Sequence, residues 1–182
     1  MRTRQFTLLV ALLGLPLAAS GAQESAAARA SIAAQRRAYE AIRREFPTYR
    51  SISFDLNRVN VDGNGPDEGG DVVGYCKGDS VRLIVLYYNT ERSSGVRRFY
   101  VMRDSIFYLL DGSDEGGPYT RLYFDGPRLV RWYDEHGRSK PVDGKGDWLV
   151  ASYPEFGYSL LKAMHGCVVP PRTDGDSNSA RR

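Results

Sequence analysis

The amino-acid sequence predicts an α+β fold, in which an antiparallel β-meander of about six to eight strands carries an N-terminal and a C-terminal helix packed on one face. Three observations support this prediction. Apolar residues recur with helical spacing up to Phe46 and alternate with polar residues from Tyr49 onward. Short strand-like segments then follow one another with only turn sequences between them, which favours antiparallel pairing. A second helical pattern comes near the end of the chain.

The first 22 residues have the pattern of a secretory signal peptide. Arg2 and Arg4 precede an uncharged, mostly apolar stretch over residues 6–18, and small residues follow at 20–22. As a helix this stretch would span about 20 Å, whereas a bilayer core needs about 30 Å, so a retained anchor is the less favoured alternative. We therefore predict cleavage near Ala22 and a periplasmic or secreted mature protein with no integral membrane span.

The mature chain is predicted to be one domain, since the whole chain has only 182 residues. The N-terminal helix occupies residues 23–48, the sheet and the C-terminal helix occupy 49–169, and the polar residues 170–182 form a disordered tail. The apolar stripe of the first helix consists of Ile32, Tyr39, Ile42 and Phe46. The second helix is predicted from Pro154 to His165, and Gly166 caps its end.

Alternation and a weak repeat predict the strands. In the first strand, Ile52, Phe54 and Leu56 alternate with polar residues. Three tyrosines are each followed, six residues later and across a polar turn, by an aliphatic residue: Tyr75 by Val81, Tyr100 by Ile106 and Tyr123 by Leu129. We interpret this repeat as a hairpin unit used three times. Its copies must lie side by side in one sheet to bury their apolar faces.

The two cysteines, Cys76 and Cys167, are predicted to form a disulfide. Both belong to the exported part of the chain, and an even pair in an oxidising compartment usually pairs. The bond would close a loop of 91 residue steps, for which chain entropy gives a stabilisation of about 4–5 kcal/mol. A redox-active pair is the less favoured alternative, because CxxC spacing is absent.

The segment Tyr-Phe-Asp-Gly-Pro-Arg-Leu, which begins at Tyr123, resembles the Tyr-x-x-Gly-x-Leu type β-hairpin units of several uncharacterised exported bacterial proteins, although two residues here separate Gly126 from Leu129. The likeness extends over residues 70–138. It implies a hairpin-rich fold and an exported protein. Those families have no assigned activity, so the resemblance assigns no functional residue.

Composition excludes several classes of function. The formal charge of +3 is too small for nucleic-acid binding on electrostatics alone, and the two Cys and two His, which lack CxxC spacing, rule out a finger-type zinc site. Neither a cofactor nor a metal is expected. The Asp- and Gly-rich loops 62–70 and 111–115 lack the EF-hand pattern, so we interpret them as solvated turns and leave irregular calcium binding open.

A hydrolase that uses loop carboxylates is the alternative enzymatic hypothesis. Asp134, Glu135 and Asp143 lie at loop ends, beside His136 in a predicted turn. The sequence contains no nucleophile elbow and no His-Glu-x-x-His motif. Sequence spacing alone does not show whether two of these carboxyl groups face each other.

The pattern with the clearest functional implication is an alternation of arginine and tyrosine on one face of the predicted sheet. Its members are Arg98, Tyr100, Arg121, Tyr123, Arg131 and Tyr133. If residues 125–127 form a three-residue loop, Tyr123 lies opposite Leu129 and Arg121 opposite Arg131. The helices would then cover the apolar face, and the Arg/Tyr face would point outward.

We therefore expect a non-enzymatic exported binding module. Arg and Tyr are enriched at binding sites, and the ligand would be a protein, a carbohydrate or an acidic molecule, held on this face or by the Gly-rich loops. The alternative that this face is only a solvated surface also stays open, because tyrosines on an outer face can shield the strands and stack with arginines. Nucleic acid is not expected as a partner. A structural envelope component is the third hypothesis.

Overall fold

The computed structural model describes residues 26–59, 69–90, 93–113, 117–142 and 148–171. Within these ranges eight antiparallel strands form one sheet in the order of the chain, which confirms the predicted α+β meander. The helices are α1 (Ala26–Glu45) and α2 (Trp148–Ala163). The strands are β1 (Arg50–Asp55), β2 (Gly70–Lys77), β3 (Ser80–Thr90), β4 (Ser93–Met102), β5 (Ser105–Gly112), β6 (Tyr119–Asp125), β7 (Arg128–Tyr133) and β8 (Ser139–Lys140).

The two helices pack on opposite faces of the sheet. Successive residues of β3 show this directly: Leu83 and Val85 belong to the buried cluster beneath α1, whereas Ile84 and Leu86 belong to the cluster beneath α2. The prediction that both helices lie on one face is wrong. Because the central strands carry apolar or aromatic side chains on both sides, each face needs its own cover.

α2 closes its face of the sheet with fully buried side chains. The ring of Phe156 packs on that of Phe99, with centroids 6.1 Å apart. Gly157 allows a close approach, since a Cβ at this position would lie 2.6 Å from Cδ1 of Ile106. Leu160 and Met164 continue the buried stripe along the helix. This face therefore forms a continuous apolar core.

The disulfide lies on the same face. Cys76 in β2 is bonded to Cys167, which ends the 3₁₀ turn after α2, and their Cα atoms are 6.2 Å apart. Both cysteines are buried in the core beneath α2. Gly166 has a φ of 68° and turns the chain toward the sheet after the helix. The predicted pairing is confirmed.

The three repeated hairpins have the same construction. Each tyrosine of the repeat is the last regular partner before a β-bulge, and the bulges lie between Tyr75 and Cys76, between Tyr100 and Val101, and between Tyr123 and Phe124. In each hairpin a two-residue turn joins the strands, and one extra residue sits in the second strand. The extra residue shifts the alternation by one position, so that Val81 and Leu83, although two residues apart, lie on opposite faces of the sheet.

The helices otherwise follow their sequence patterns, with one difference in length. Ile32 and Ile42 of α1 are buried. α2 begins at Trp148, ahead of the predicted start at Pro154. The hydroxyl of Tyr153 donates a hydrogen bond of 2.7 Å to the carboxylate of Asp111, and this contact holds the first turns of α2 on the sheet. No helix in the described ranges combines the length and apolar content needed to cross a bilayer.

Candidate functional site

The structure places all six residues of the predicted Arg/Tyr face on one side of the sheet, in two neighbouring rows that cross the strands. The tyrosine row consists of Tyr75, Leu83, Tyr100, Tyr108, Tyr123 and Arg131. The arginine row consists of Val73, Val85, Arg98, Leu110, Arg121 and Tyr133. Directly paired residues share a face, so each row presents all its side chains on the α1 side.

The pairing within these rows differs from the sequence prediction. Tyr123 lies opposite Arg131 rather than Leu129, and Arg121 lies opposite Tyr133 rather than Arg131. The predicted three-residue loop is instead a two-residue turn, because Asp125 still pairs across it. The bulge that follows adds one residue to β7. This residue, and not a longer loop, keeps the predicted side chains of β6 and β7 on one face.

The expectation that this face points outward is wrong for its tyrosines, because α1 lies across the tyrosine row. The ring of Tyr39 on α1 packs at 4.9 Å from that of Tyr100 and 5.2 Å from that of Tyr108. Tyr100 and Tyr123 are only 5% and 7% exposed. Burial raises the pKa of Tyr100 and of Tyr108, so both hydroxyls stay neutral at ordinary pH.

α1 crosses the strands from β6 to β2. At the middle of the helix, Nε2 of Gln35 donates to the carbonyl oxygen of Phe124 in β6, at 2.7 Å. Near its end, Glu45 pairs with Lys77 of β2 at 3.0 Å. Two clefts lie along one flank of the helix, between α1 and the arginine row, and together we call them the groove.

The β5–β6 half of this groove, which we call the polar cleft, has a volume of about 400 Å³. Its lining residues are Gln35, Arg36, Tyr39, Glu40, Tyr108, Arg121 and Tyr123. Two of their buried polar atoms, Oε1 of Gln35 and Nε of Arg121, have no hydrogen-bond partner among the described residues. Leaving such atoms unpaired costs free energy unless a ligand satisfies them.

The β2–β4 half, which we call the aromatic cleft, has a volume of about 370 Å³. Its lining residues are Ile42, Arg43, Phe46, Tyr75, Leu83, Val85, Tyr87, Arg98 and Tyr100. Phe46 and Tyr87 are 39% and 36% exposed, which is unusual for rings of this size. The aromatic cleft thus offers ring surface beside two guanidinium groups.

The charge along the groove is mainly positive. Its charged lining residues are Arg36, Glu40, Arg43, Arg98 and Arg121. None of these four arginines forms an ion pair with a carboxylate of a described residue. The guanidinium groups of Arg43, Arg98 and Arg121 lie instead over tyrosine rings, at 5.3 to 5.7 Å from the ring centroids. Such stacking fixes the planar group and leaves its N–H edge able to bind an anion.

Among the carboxylates of the alternative hydrolase site, Asp134 is held within its own turn. Asp134 is buried, and its carboxylate accepts hydrogen bonds from the backbone N–H groups of His136 and Arg138 and from Nε of Arg138. Lys140 lies 3.3 Å away. Burial raises the pKa of Asp134, but the bonds to Arg138 and Lys140 outweigh it and hold the pKa well below its usual range. Asp134 therefore organises the turn after β7.

Several sequence predictions fall outside the described residues. These are the signal peptide at residues 1–22, the loop residues 62–68, Asp114 and Glu115 of the second loop, Asp143, and the tail from residue 172.

Two buried polar residues were missed by the sequence analysis. Gln35 falls in the phase of the apolar stripe of α1, and Arg97 falls in phase with the core residues Phe99 and Val101. Arg97 lies 3.5 Å from Asp111, between two tyrosine rings. A polar residue at an apolar position of a periodic pattern was the available signal in both cases.

Comparison with known proteins does not identify a relative. No family model matches the chain, and no curated protein or solved structure has significant similarity to it.

Proposed function

We propose that this protein is an exported, non-enzymatic binding module that holds an anionic ligand in the groove between α1 and the arginine row. The observation that carries this proposal is the polar cleft, where Oε1 of Gln35 and Nε of Arg121 are buried without a partner among the described residues. Gln35 is more than nine-tenths buried and its unpaired oxygen is an acceptor, so the ligand would bring a hydrogen-bond donor for it beside the anionic group for Arg121.

The charges favour an anion as the ligand. Arg36 of α1 and Arg121 of β6 line the same cleft, and neither pairs with a described carboxylate. Guanidinium groups bind carboxylate or phosphate through two parallel hydrogen bonds, which gives affinity and orientation together. The disulfide supports export, because such bonds persist in oxidising compartments.

The test is binding of a small anion by the mature protein isolated from the periplasm of an expressing bacterium. D-galacturonate, inorganic phosphate and neutral D-galactose are titrated by calorimetry. We expect millimolar binding of at least one anion and none of galactose. Arg121→Ala should weaken anion binding about tenfold, since one charge-assisted hydrogen bond is lost.

Arg128→Ala is the matched control. Arg128 belongs to the same hairpin, but it is exposed and pairs with Asp125 outside the groove. Anion binding by this variant should equal that of the wild type. If neither anion binds the wild type, or if both variants lose affinity equally, the groove is not the binding site and the proposal fails.

A further inference from the structure

We propose that the ligand is a linear acidic saccharide that occupies the polar cleft and the aromatic cleft together. This inference rests on the proposed function and adds the ligand's class and length. Both clefts open along the same flank of α1, and their linings extend from Tyr75 of β2 to Tyr123 of β6. Five neighbouring strands spaced about 4.8 Å apart give the groove a length of about 19 Å. That is several times the width of a single sugar ring.

The four guanidinium groups form two pairs with matching spacing. Arg36 and Arg43 are seven residues apart on α1, so they lie on the same flank at a separation of about 10 Å. Arg98 and Arg121 lie in the arginine row with only Leu110 of β5 between them, also about 10 Å apart. The polar cleft holds one arginine from each pair, Arg36 and Arg121, and the aromatic cleft holds the other two, Arg43 and Arg98. This arrangement suits a chain on which anionic groups recur.

The acceptors in the groove distinguish a saccharide from other polyanions. Oε1 of Gln35 and the carboxylate of Glu40 accept hydrogen bonds and donate none, so the ligand must bring donors as well as anions. Sugar hydroxyls are such donors, and each acidic sugar carries several of them beside its carboxylate, whereas an acidic peptide offers donors only on its backbone N–H groups. The exposed rings of Phe46 and Tyr87 offer flat surface for the C–H face of a sugar.

The experiment compares probes of increasing length on the full chain. Galacturonate, tri-galacturonate and hexa-galacturonate are titrated by calorimetry beside maltohexaose, hexaglutamate and laurate. We expect hexa-galacturonate to bind at least about tenfold more tightly than the monomer, because contacts in the second cleft add to those in the first. Maltohexaose, which has no charge, should bind more weakly than hexa-galacturonate.

Arg43→Ala tests the second cleft, and Arg44→Ala is its control. Both residues are exposed on α1, but only Arg43 lines the groove. We expect Arg43→Ala to lower hexamer affinity about tenfold and to leave monomer affinity unchanged, while Arg44→Ala changes neither. Thermal melts of both variants should match the wild type, since exposed positions contribute little to stability.

The outcomes separate this inference from the proposed function. Equal affinities for monomer and hexamer, with no effect of Arg43→Ala, would confine the ligand to the polar cleft and overturn the inference alone. Tighter binding of hexaglutamate or of laurate would replace the saccharide with an acidic peptide or an anionic amphiphile. Failure of every anion to bind would overturn both.

Discussion

The two faces of the sheet are built from different chemistry. Beneath α2 the side chains are aliphatic or aromatic apart from the buried Arg97 and its partner Asp111, Phe99 and Phe156 are fully buried, and the disulfide ties the end of the helix to β2. Beneath α1 the central residues are tyrosines, and the neighbouring row carries Arg98 and Arg121, both of them only partly covered. One face is therefore a closed core, and the other combines a second buried cluster with a partly covered polar surface along one flank of α1.

The difference shows how one sheet can separate stability from binding. Fully buried apolar area contributes most of the folding free energy, and it leaves no room for a ligand. Tyrosine covers area as well, but its hydroxyl keeps the surface polar, and stacked arginines hold charge at that surface. We therefore expect substitutions on the α2 face to act on stability and those along the groove to act on binding.

Removing the disulfide should give the largest loss of stability. In the Cys76→Ser, Cys167→Ser double variant the unfolded chain regains the freedom of a loop of 91 residue steps, so the free energy of unfolding should fall by about 4–5 kcal/mol. Urea unfolding followed by circular dichroism measures this loss. Reduction of the wild type with dithiothreitol is the control and should lower the midpoint similarly. A change below about 1 kcal/mol would contradict a stabilising role for the bond.

A pair of aromatic truncations compares the two faces directly. Phe156→Ala on α2 opens a cavity in a fully buried site and should cost about 3–5 kcal/mol. Tyr39→Ala on α1 removes a half-buried ring with two ring contacts and should cost about 1–2 kcal/mol. Both losses are read from urea unfolding in parallel. If Tyr39→Ala is the more destabilising, the face beneath α1 is also a main core and our division between the faces is wrong.

The sequence predicted the α2 face well, because apolar periodicity and the cysteine count each imply one arrangement. Phe156, Leu160 and Met164 are spaced for one side of a helix, and they are buried together. Two cysteines have one possible intramolecular pairing, and the structure forms it between Cys76 and Cys167.

The arrangement of the α1 face was harder to predict, because its sequence pattern fits two different arrangements. Tyrosines alternating with arginines fit an exposed surface as well as a surface beneath a helix, and only the tertiary position of Tyr39 shows that α1 covers them. The pairing register of β6 and β7 was ambiguous from the sequence for a related reason. A three-residue loop and a two-residue turn followed by a bulge both leave Arg121 and Tyr123 on the same face, but they pair these residues with different partners.

The turn after β7 supports the outer edge of the groove. Substituting Asp134 in this turn should give the smallest change in stability, and that change should depend on pH. Asp134 accepts two backbone hydrogen bonds within this turn, and Gly137 packs so closely on Arg121 that a Cβ there would lie 3.0 Å from Nη2. Asp134→Asn keeps an acceptor for the backbone but loses the ion pairs with Arg138 and Lys140. At pH 7 the variant should therefore be less stable than the wild type.

The sign of the pH dependence follows from the lowered pKa of Asp134. A carboxyl with a lowered folded-state pKa adds stability above its unfolded pKa of about 3.9, and it loses that contribution as the pH falls toward the folded value. The stabilities of wild type and Asp134→Asn should therefore converge between pH 5 and pH 2 in urea unfolding. The pKa of Glu45 is also lowered, mainly by its hydrogen bond with Lys77, but Glu45 is common to both proteins and cancels in the difference. A stability difference that stays constant from pH 7 to pH 2 would mean that the charge of Asp134 does not hold this edge of the groove.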